Sequence, residues 1–178
     1  EEASSPIQGK VAVIGGGNTA IDAATAAKRR GAEDVYLIYR RGFDEMPAWP
    51  GEREQAIAAG IHLLILTQPV GYVTSAERRL SAVRVARTQL GPADESGRRR
   101  PVLIPGTEHE IPVSWVVEAL GERLSPQAAE VLRPVELNEK GLVRVDPDTG
   151  MTTCRGVFAA GDLVNGGTTV VQAIAEGA

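Results

Sequence analysis

Residues 10–41, KVAVIGGGNTAIDAATAAKRRGAEDVYLIYRR, read as a strand, a glycine turn, a helix and a second strand that closes on two arginines. Val11-Ala12-Val13-Ile14 is a short run without a polar residue, the pattern of a parallel strand covered on both faces. Gly15-Gly16-Gly17-Asn18-Thr19-Ala20 follows at once and fits G-x-G-x-x-A. Each position has a physical reason. Gly15 permits the tight turn, Gly17 lets a diphosphate approach the backbone, and the small Ala20 allows close helix–strand packing. The first N–H groups of the following helix, near Asn18 and Thr19, then face an anion with the helix dipole behind them.

The motif alone is common in a chain rich in Gly and Ala, and its context gives it weight. A helix is expected from Thr19 to Arg30, stopped by Gly31, with Val35–Tyr39 as the second strand. At the tip of that strand an NAD site places an acidic acceptor for the ribose 2′-hydroxyl. Here the tip carries Arg40 and Arg41. A guanidinium cannot accept that hydrogen bond but grips a 2′-phosphate in bidentate fashion, which favours NADPH over NADH. The bland alternative is a solvated strand end.

The 178 residues, 43% of them hydrophobic, suffice for one ample core or a domain with an appendage. A net charge of −4 offers no field for nucleic acid. Arg98-Arg99-Arg100 follows a polar, glycine-containing stretch and reads as a solvated hairpin tip. The apolar stretch around Leu63–Leu66 is far short of the roughly 18 residues of a membrane span, so no membrane is expected. Cys154 is the single cysteine, which excludes an internal disulfide and suits a reducing compartment, the cytoplasm. The chain starts at Glu1 and stops inside an apparent helix, and is expected to be a piece of a longer protein.

The expected fold class is α/β: a Rossmann-like parallel sheet with flanking helices and a three-strand antiparallel meander in the crossover. The nucleotide domain is expected over 8–121, with the meander at about 80–112. A Pro-rich loop, Gly42–Pro50, leads to a helix at Gly51–Ala59 and a third parallel strand at Ile61–Leu66. Trp49 in this loop reads as a packing residue, with covering of the adenine as the alternative. Val113–Leu120 supplies the fourth parallel strand and ends at Gly121, on the edge where ligand meets such a sheet. His62 and His109 have no partner suggested by spacing and read as structural or exposed. Residues 122–178 are expected to finish this domain and run into another: a short helix from Ser125 to Leu132, then strands at Leu142–Val145 and Gly156–Ala160 around a turn at 147–150. Gly161-Asp162 then turns into a C-terminal helix. A carboxylate there either accepts from a polyol hydroxyl or caps its own loop.

The segments GGGNTAIDAA, YRR, MPA-x-P-G-E, VVEALG and GVFAAGDLVNGGTTVVQAIAEG, in this order, resemble the flavoproteins built from two dinucleotide-binding domains. The resemblance is nearest to the glutamate synthase small (beta) subunit type and the related NADPH-binding portion of dihydropyrimidine dehydrogenase. It implies that Gly15, Gly17, Asn18 and Thr19 serve the NADPH diphosphate and that Arg40 and Arg41 bind the 2′-phosphate. Glu52 would border the ribose or nicotinamide, and Gly121 would lie near the nicotinamide. Gly161 and Asp162 would contact the flavin ribityl chain, while Thr169 and Val170 would open a helix aimed at the isoalloxazine. It further implies an oxidoreductase that passes a hydride from NADPH to FAD, with electrons leaving for iron–sulfur centres or a larger catalytic subunit. The first FAD-binding βαβ unit and the iron–sulfur segment of that family are not in this sequence, so the chain would bind NADPH and hold FAD poorly. No catalytic side chain and no metal site are expected. Two other readings stand beside this one: a non-catalytic dinucleotide-binding or sensing module, and a self-sufficient NADPH-dependent dehydrogenase. The latter needs either a Tyr-x-x-x-Lys, a spacing that Tyr36, Tyr39 and Tyr72 do not provide, or a positioned His/carboxylate pair.

Overall fold

The four residues of β1 (Val11–Ile14) are all buried because alternate side chains enter different cores. Val11 and Val13 join the cluster formed with α1 (Asn18–Arg29), whereas Ala12 joins Val83, Val85 and Val113 on the opposite face. The computed structural model describes residues 6–95, 97–121, 130, 132, 134–167 and 170–177. By internal contacts the chain divides into two units, Glu1–Gly121 and Glu122–Ala178.

In the first unit, α1 turns Ala20, Ile21, Ala24 and Ala27 inward. Three of these are alanines, so the helix can lie close over Val11, Val13, Val35 and Leu37. Lys28 and Arg29 in the last turn complement the negative end of the helix dipole, and Gly31 (φ +93°) breaks the helix with the left-handed backbone that glycine tolerates. Then come β2 (Val35–Ile38), α2 (Pro50–Ala58) and β3 (His62–Leu64). With β8 (Trp115–Glu118) they complete a parallel sheet in the order β3-β2-β1-β8. The boundaries agree with expectation within a few residues; the third and fourth parallel strands are shorter than expected at both ends.

Antiparallel strands cover the second face of this sheet where a helix layer would otherwise lie. They are β4 (Thr67–Thr74), β5 (Leu80–Ala93), β6 (Arg99–Leu103) and β7 (His109–Pro112). The three strands expected between 80 and 112 are β5, β6 and β7, and β4 is an addition that the sequence did not announce. It accommodates Pro69 and Gly71 because it is an edge strand and carries a register shift between those two residues. The third antiparallel strand also differs from a simple meander, because β7 pairs with β5 and not with β6. Thr88 faces Leu103 and Val85 faces His109, so β6 and β7 run in line along one edge of β5. Between them Ile104 N–H donates to Arg87 O and Arg87 N–H donates to Thr107 Oγ1, each at 2.9 Å. Gly106 (φ +75°) therefore serves an outward excursion and not a chain reversal. Arg98–Arg100 stand exposed at the β5–β6 tip, as expected.

In the second unit the strands expected at 142–145 and 156–160 are reduced to isolated bridges, Leu137 with Val143, Val145 with Thr152, and Met151 with Phe158. Local side-chain bonds compete with a ladder here: Asp146 Oδ1 accepts from the N–H groups of Asp148 and Thr149 and from Thr149 Oγ1. The turn at 147–150 is present, with Gly150 at φ +67°. Two short helices close the unit, α3 (Asp162–Asn165) and α4 (Val170–Glu176). Most of the helix expected from Ser125 to Leu132 lies outside the described residues. Cys154 is half-buried, and no helix among the described residues is long and apolar enough to cross a membrane.

Leu37 is 0% exposed at the centre of the parallel sheet. Leu37→Ala is expected to lower the stability of the first unit by about 2–5 kcal/mol in urea unfolding.

Candidate functional site

At the carboxyl end of β1 the backbone is crowded on one side and open on the other. Gly15 has φ +149°, its N–H donates to Ile38 O at 3.0 Å, and a Cβ there would lie 2.4 Å from Ala119 O and 3.0 Å from the Ala20 methyl. Gly16 is buried, and a Cβ on it would lie 2.4 Å from the Tyr39 ring. Gly17 is different. Its φ of −90° suits any residue, and the nearest atom to a Cβ there is Pro47 Cγ at 3.9 Å. Nothing in the protein requires glycine at this position, so the glycine preserves open space beside the helix start. Gly17 O accepts from the N–H groups of Ala20 and Ile21, no side chain caps α1, and the N–H groups of Asn18 and Thr19 have no partner among the described residues. That is the donor set and the cradle that a phosphate needs.

Arg40 and Arg41 follow β2 directly on the same edge of the sheet. Their carbonyls are anchored, Arg40 O by Thr88 Oγ1 at 2.8 Å and Arg41 O by Leu66 N–H at 2.9 Å. Their side chains are left for other work: neither guanidinium has an acidic partner among the described residues, and that of Arg41 lies 5.7 Å from the Tyr39 ring centroid. The loop after them is strapped back over the glycine turn. Tyr39 hydroxyl donates to Glu45 O at 2.6 Å, Ala48 N–H to Gly16 O at 3.1 Å, and Trp49 N–H to Asn18 Oδ1 at 3.0 Å. Asn18 thus spends its carboxamide oxygen on the loop and offers an incoming anion its backbone N–H.

Glu52 lies in the first turn of α2, next to this strap. Its Oε2 and Arg53 Nε are buried without a hydrogen-bond partner in the protein, while Arg53 Nη1 donates to Phe43 O at 2.5 Å. Trp49 corrects the packing expectation: it is 58% exposed, because its backbone, and not its ring, makes the loop contact. Gly121 (φ +83°) lies three residues beyond β8, exposed, with nothing within 4 Å of a Cβ.

Gly15, Gly17, Asn18, Thr19, Arg40, Arg41 and Gly121 therefore share the carboxyl edge of the parallel sheet, and the strap brings Glu52 to them. His62 lies at the other edge, stacked on Tyr36 with ring centroids 5.2 Å apart and facing Asp34 at 3.5 Å. His109 Nδ1 lies 3.1 Å from Thr107 O in the excursion before β7. Sequence reasoning missed Tyr39 as the wall behind Gly16. It also missed a contact between Tyr72 on β4 and Glu118 at the end of β8, in which the phenol donates to Oε1. Burial, and then this carboxylate, push the Tyr72 phenol up to about 12. These partners are 46 residues apart, and no local signal joins them.

Gly161 and Asp162 belong to the second unit. Gly161 (φ +68°) donates its N–H to Glu176 Oε2 at 2.8 Å, and Asn165 Nδ2 and Gln172 Nε2 donate to the same carboxylate. The Gly161 N–H, foremost, holds Glu176 below the usual carboxylate range. Asp162 heads α3 and is exposed, so the ties across this turn run through Glu176 and Asn165. Val170 is the first residue of α4, and Thr169 lies outside the described residues.

Gly15→Ala is expected to cost about 2 kcal/mol or more in urea unfolding, whereas Gly17→Val is expected to stay within about 1 kcal/mol of the parent. A depressed folded-state carboxyl stabilises fully above its ordinary value of 4.5 and loses that contribution as pH falls through the folded value. Acid is therefore expected to loosen α4 in hydrogen exchange below about pH 4.5, and Glu176→Gln to flatten that dependence.

Residues 1–177 match the family model described as pyridine nucleotide-disulphide oxidoreductase. The NADP(+)-dependent formate dehydrogenase subunit beta of Moorella thermoacetica is 45% identical over 175 residues, 96% of this chain and 24% of that protein. The glutamate synthase (NADPH) small chain of Halomonas elongata is 41% identical over 172 residues, 94% of this chain and 36% of that protein. This chain thus spans about a quarter to a third of those relatives. Among solved structures, T. acidophilum thioredoxin reductase has a TM-score of 0.72 at 21% identity, covering 94% of this chain and 49% of that one, and so shares the fold. With the family model spanning nearly its whole length, this chain belongs to the pyridine nucleotide-disulphide oxidoreductase family.

Proposed function

We propose that this chain is the NADPH-binding portion of a flavin-dependent oxidoreductase, one that passes reducing equivalents from NADPH to FAD and on to iron–sulfur centres or a partner subunit. The observation that carries the reading is the open Gly17 cradle, with unpartnered N–H groups at α1 and two arginines at the next strand tip. The relatives named for NADPH-dependent glutamate synthase and NADP-dependent formate dehydrogenase support it.

NADPH supplies a hydride when bound, and FAD accepts it. The chain's own part is to bind and orient. The N–H groups of Asn18 and Thr19, backed by the α1 dipole, receive the diphosphate beside Gly15 and Gly17. Arg40 and Arg41 clasp the 2′-phosphate, and Glu52 offers its unpartnered Oε2 to a ribose or carboxamide donor. Gly121 leaves the end of β8 open for the nicotinamide. Gly161 and Asp162 would hold the ribityl chain of a flavin, and Thr169 and Val170 would serve its isoalloxazine side. The full reaction belongs to a longer protein, as the partial coverage of the relatives suggests. Hydride transfer needs position and electrostatics, not a side-chain acid, and no catalytic residue is assigned. A tyrosine-based dehydrogenase fits less well: the Tyr39 and Tyr72 hydroxyls are engaged by Glu45 and Glu118, and Tyr36 stacks on His62.

Arg40→Ala combined with Arg41→Ala is expected to weaken NADPH roughly 100-fold in isothermal titration and NADH by no more than about threefold. Equal losses for the two coenzymes contradict the assignment.

A further inference from the structure

We propose that Glu118, held by the Tyr72 hydroxyl, is a charge-selecting residue of the dinucleotide site, favouring the oxidised, cationic nicotinamide ring over the reduced, neutral one. The inference rests on the nucleotide reading above and goes beyond it to a preference for redox state.

Strand order places Glu118. From β1 the sheet runs to β2 on one side and to β8 on the other, which makes the β1/β8 junction the point where the order reverses. Ligands of open parallel sheets lie in the crevice beyond the strand ends at such a point. Glu118 closes β8 in register with Ile14, the residue before the glycine turn. The next residue, Ala119, donates its N–H to Ile14 O at 2.8 Å and sets its carbonyl against Gly15. A dinucleotide with its diphosphate at α1 and its 2′-phosphate at the tip of β2 extends its other half across the end of β8, past Glu118.

The contact with Tyr72 keeps the carboxylate there. The phenol comes from β4, in the layer that covers this face of the parallel sheet, and being hard to ionise it remains a donor across the physiological range. A fixed negative charge attracts the pyridinium ring of NADP+ and has no net charge to meet on the dihydropyridine ring of NADPH. Through a partly solvated site such a charge is worth roughly three- to tenfold in relative affinity.

The test is isothermal titration of the full chain with NADP+, NADPH and 2′,5′-ADP. Glu118→Gln keeps an acceptor for Tyr72 and removes the charge. It is expected to weaken NADP+ roughly three- to tenfold and to leave NADPH and 2′,5′-ADP unchanged. Tyr72→Phe keeps the charge but frees it, and is expected to lower the NADP+ preference part of the way. If Glu118→Gln shifts NADP+ and NADPH alike, or shifts neither, in a chain with unchanged circular dichroism, the inference is overturned while the nucleotide site stands. Failure of the unsubstituted chain to bind any of the three overturns the nucleotide reading and this inference with it.

Discussion

The architecture depends on the crowding at Gly15 and Gly16, where a side chain on either would strike Ala119 O, the Ala20 methyl or the Tyr39 ring. Because those side chains are absent, β1 passes into α1 within a few residues and β8 can lie directly against the turn. The loop after β2 can also be drawn back onto Gly16 through Ala48 and onto Asn18 through Trp49. The same compression leaves the first N–H groups of α1 facing outward over Gly17. Packing and the binding surface are thus two results of one constraint. The side of the turn that faces the protein is filled, and the side that faces solvent is bare polar backbone.

Charge is distributed along this edge in a definite order. The arginines stand at the tip of β2, the uncompensated helix start at α1, and a carboxylate at the end of β8. A ligand with an extra phosphate at one end, a diphosphate in the middle and a ring that becomes cationic at the other would meet complementary charge along its length. The largely apolar parallel strands beneath hold these groups on rigid elements, and the antiparallel layer contributes Tyr72 from the far side. In the second unit, Glu176 gathers the turn at Gly161 and the C-terminal helix into one hydrogen-bonded knot.

The parts of this arrangement that could be read from the sequence are those set by neighbours in the chain. Val11–Ile14, the glycine turn, Ala20 and the two arginines form a continuous segment, so periodicity and turn chemistry suffice. Prediction failed where tertiary context overrules a local rule. Pro69 and Gly71 are tolerated because β4 is an edge strand with an irregular register. Gly106 is a turn residue that makes an excursion, so β7 falls in line with β6. The last two strands give way to the side-chain bonds of Asp146. Trp49 was expected to pack, but its backbone is the part the loop needs. The pairing of Tyr72 with Glu118 joins two sheets and has no local signature.

The central claim is that the bare helix start at Gly17 receives a diphosphate while the arginines hold the phosphate that distinguishes NADPH. Backbone amide shifts of the isotopically labelled chain during titration with NADPH address it directly. The account predicts the largest perturbations at Gly17, Asn18, Thr19, Arg40 and Arg41, with little change at His62 and Asp34 on the opposite edge. Saturable shifts centred away from the glycine turn, or none at all, would contradict it.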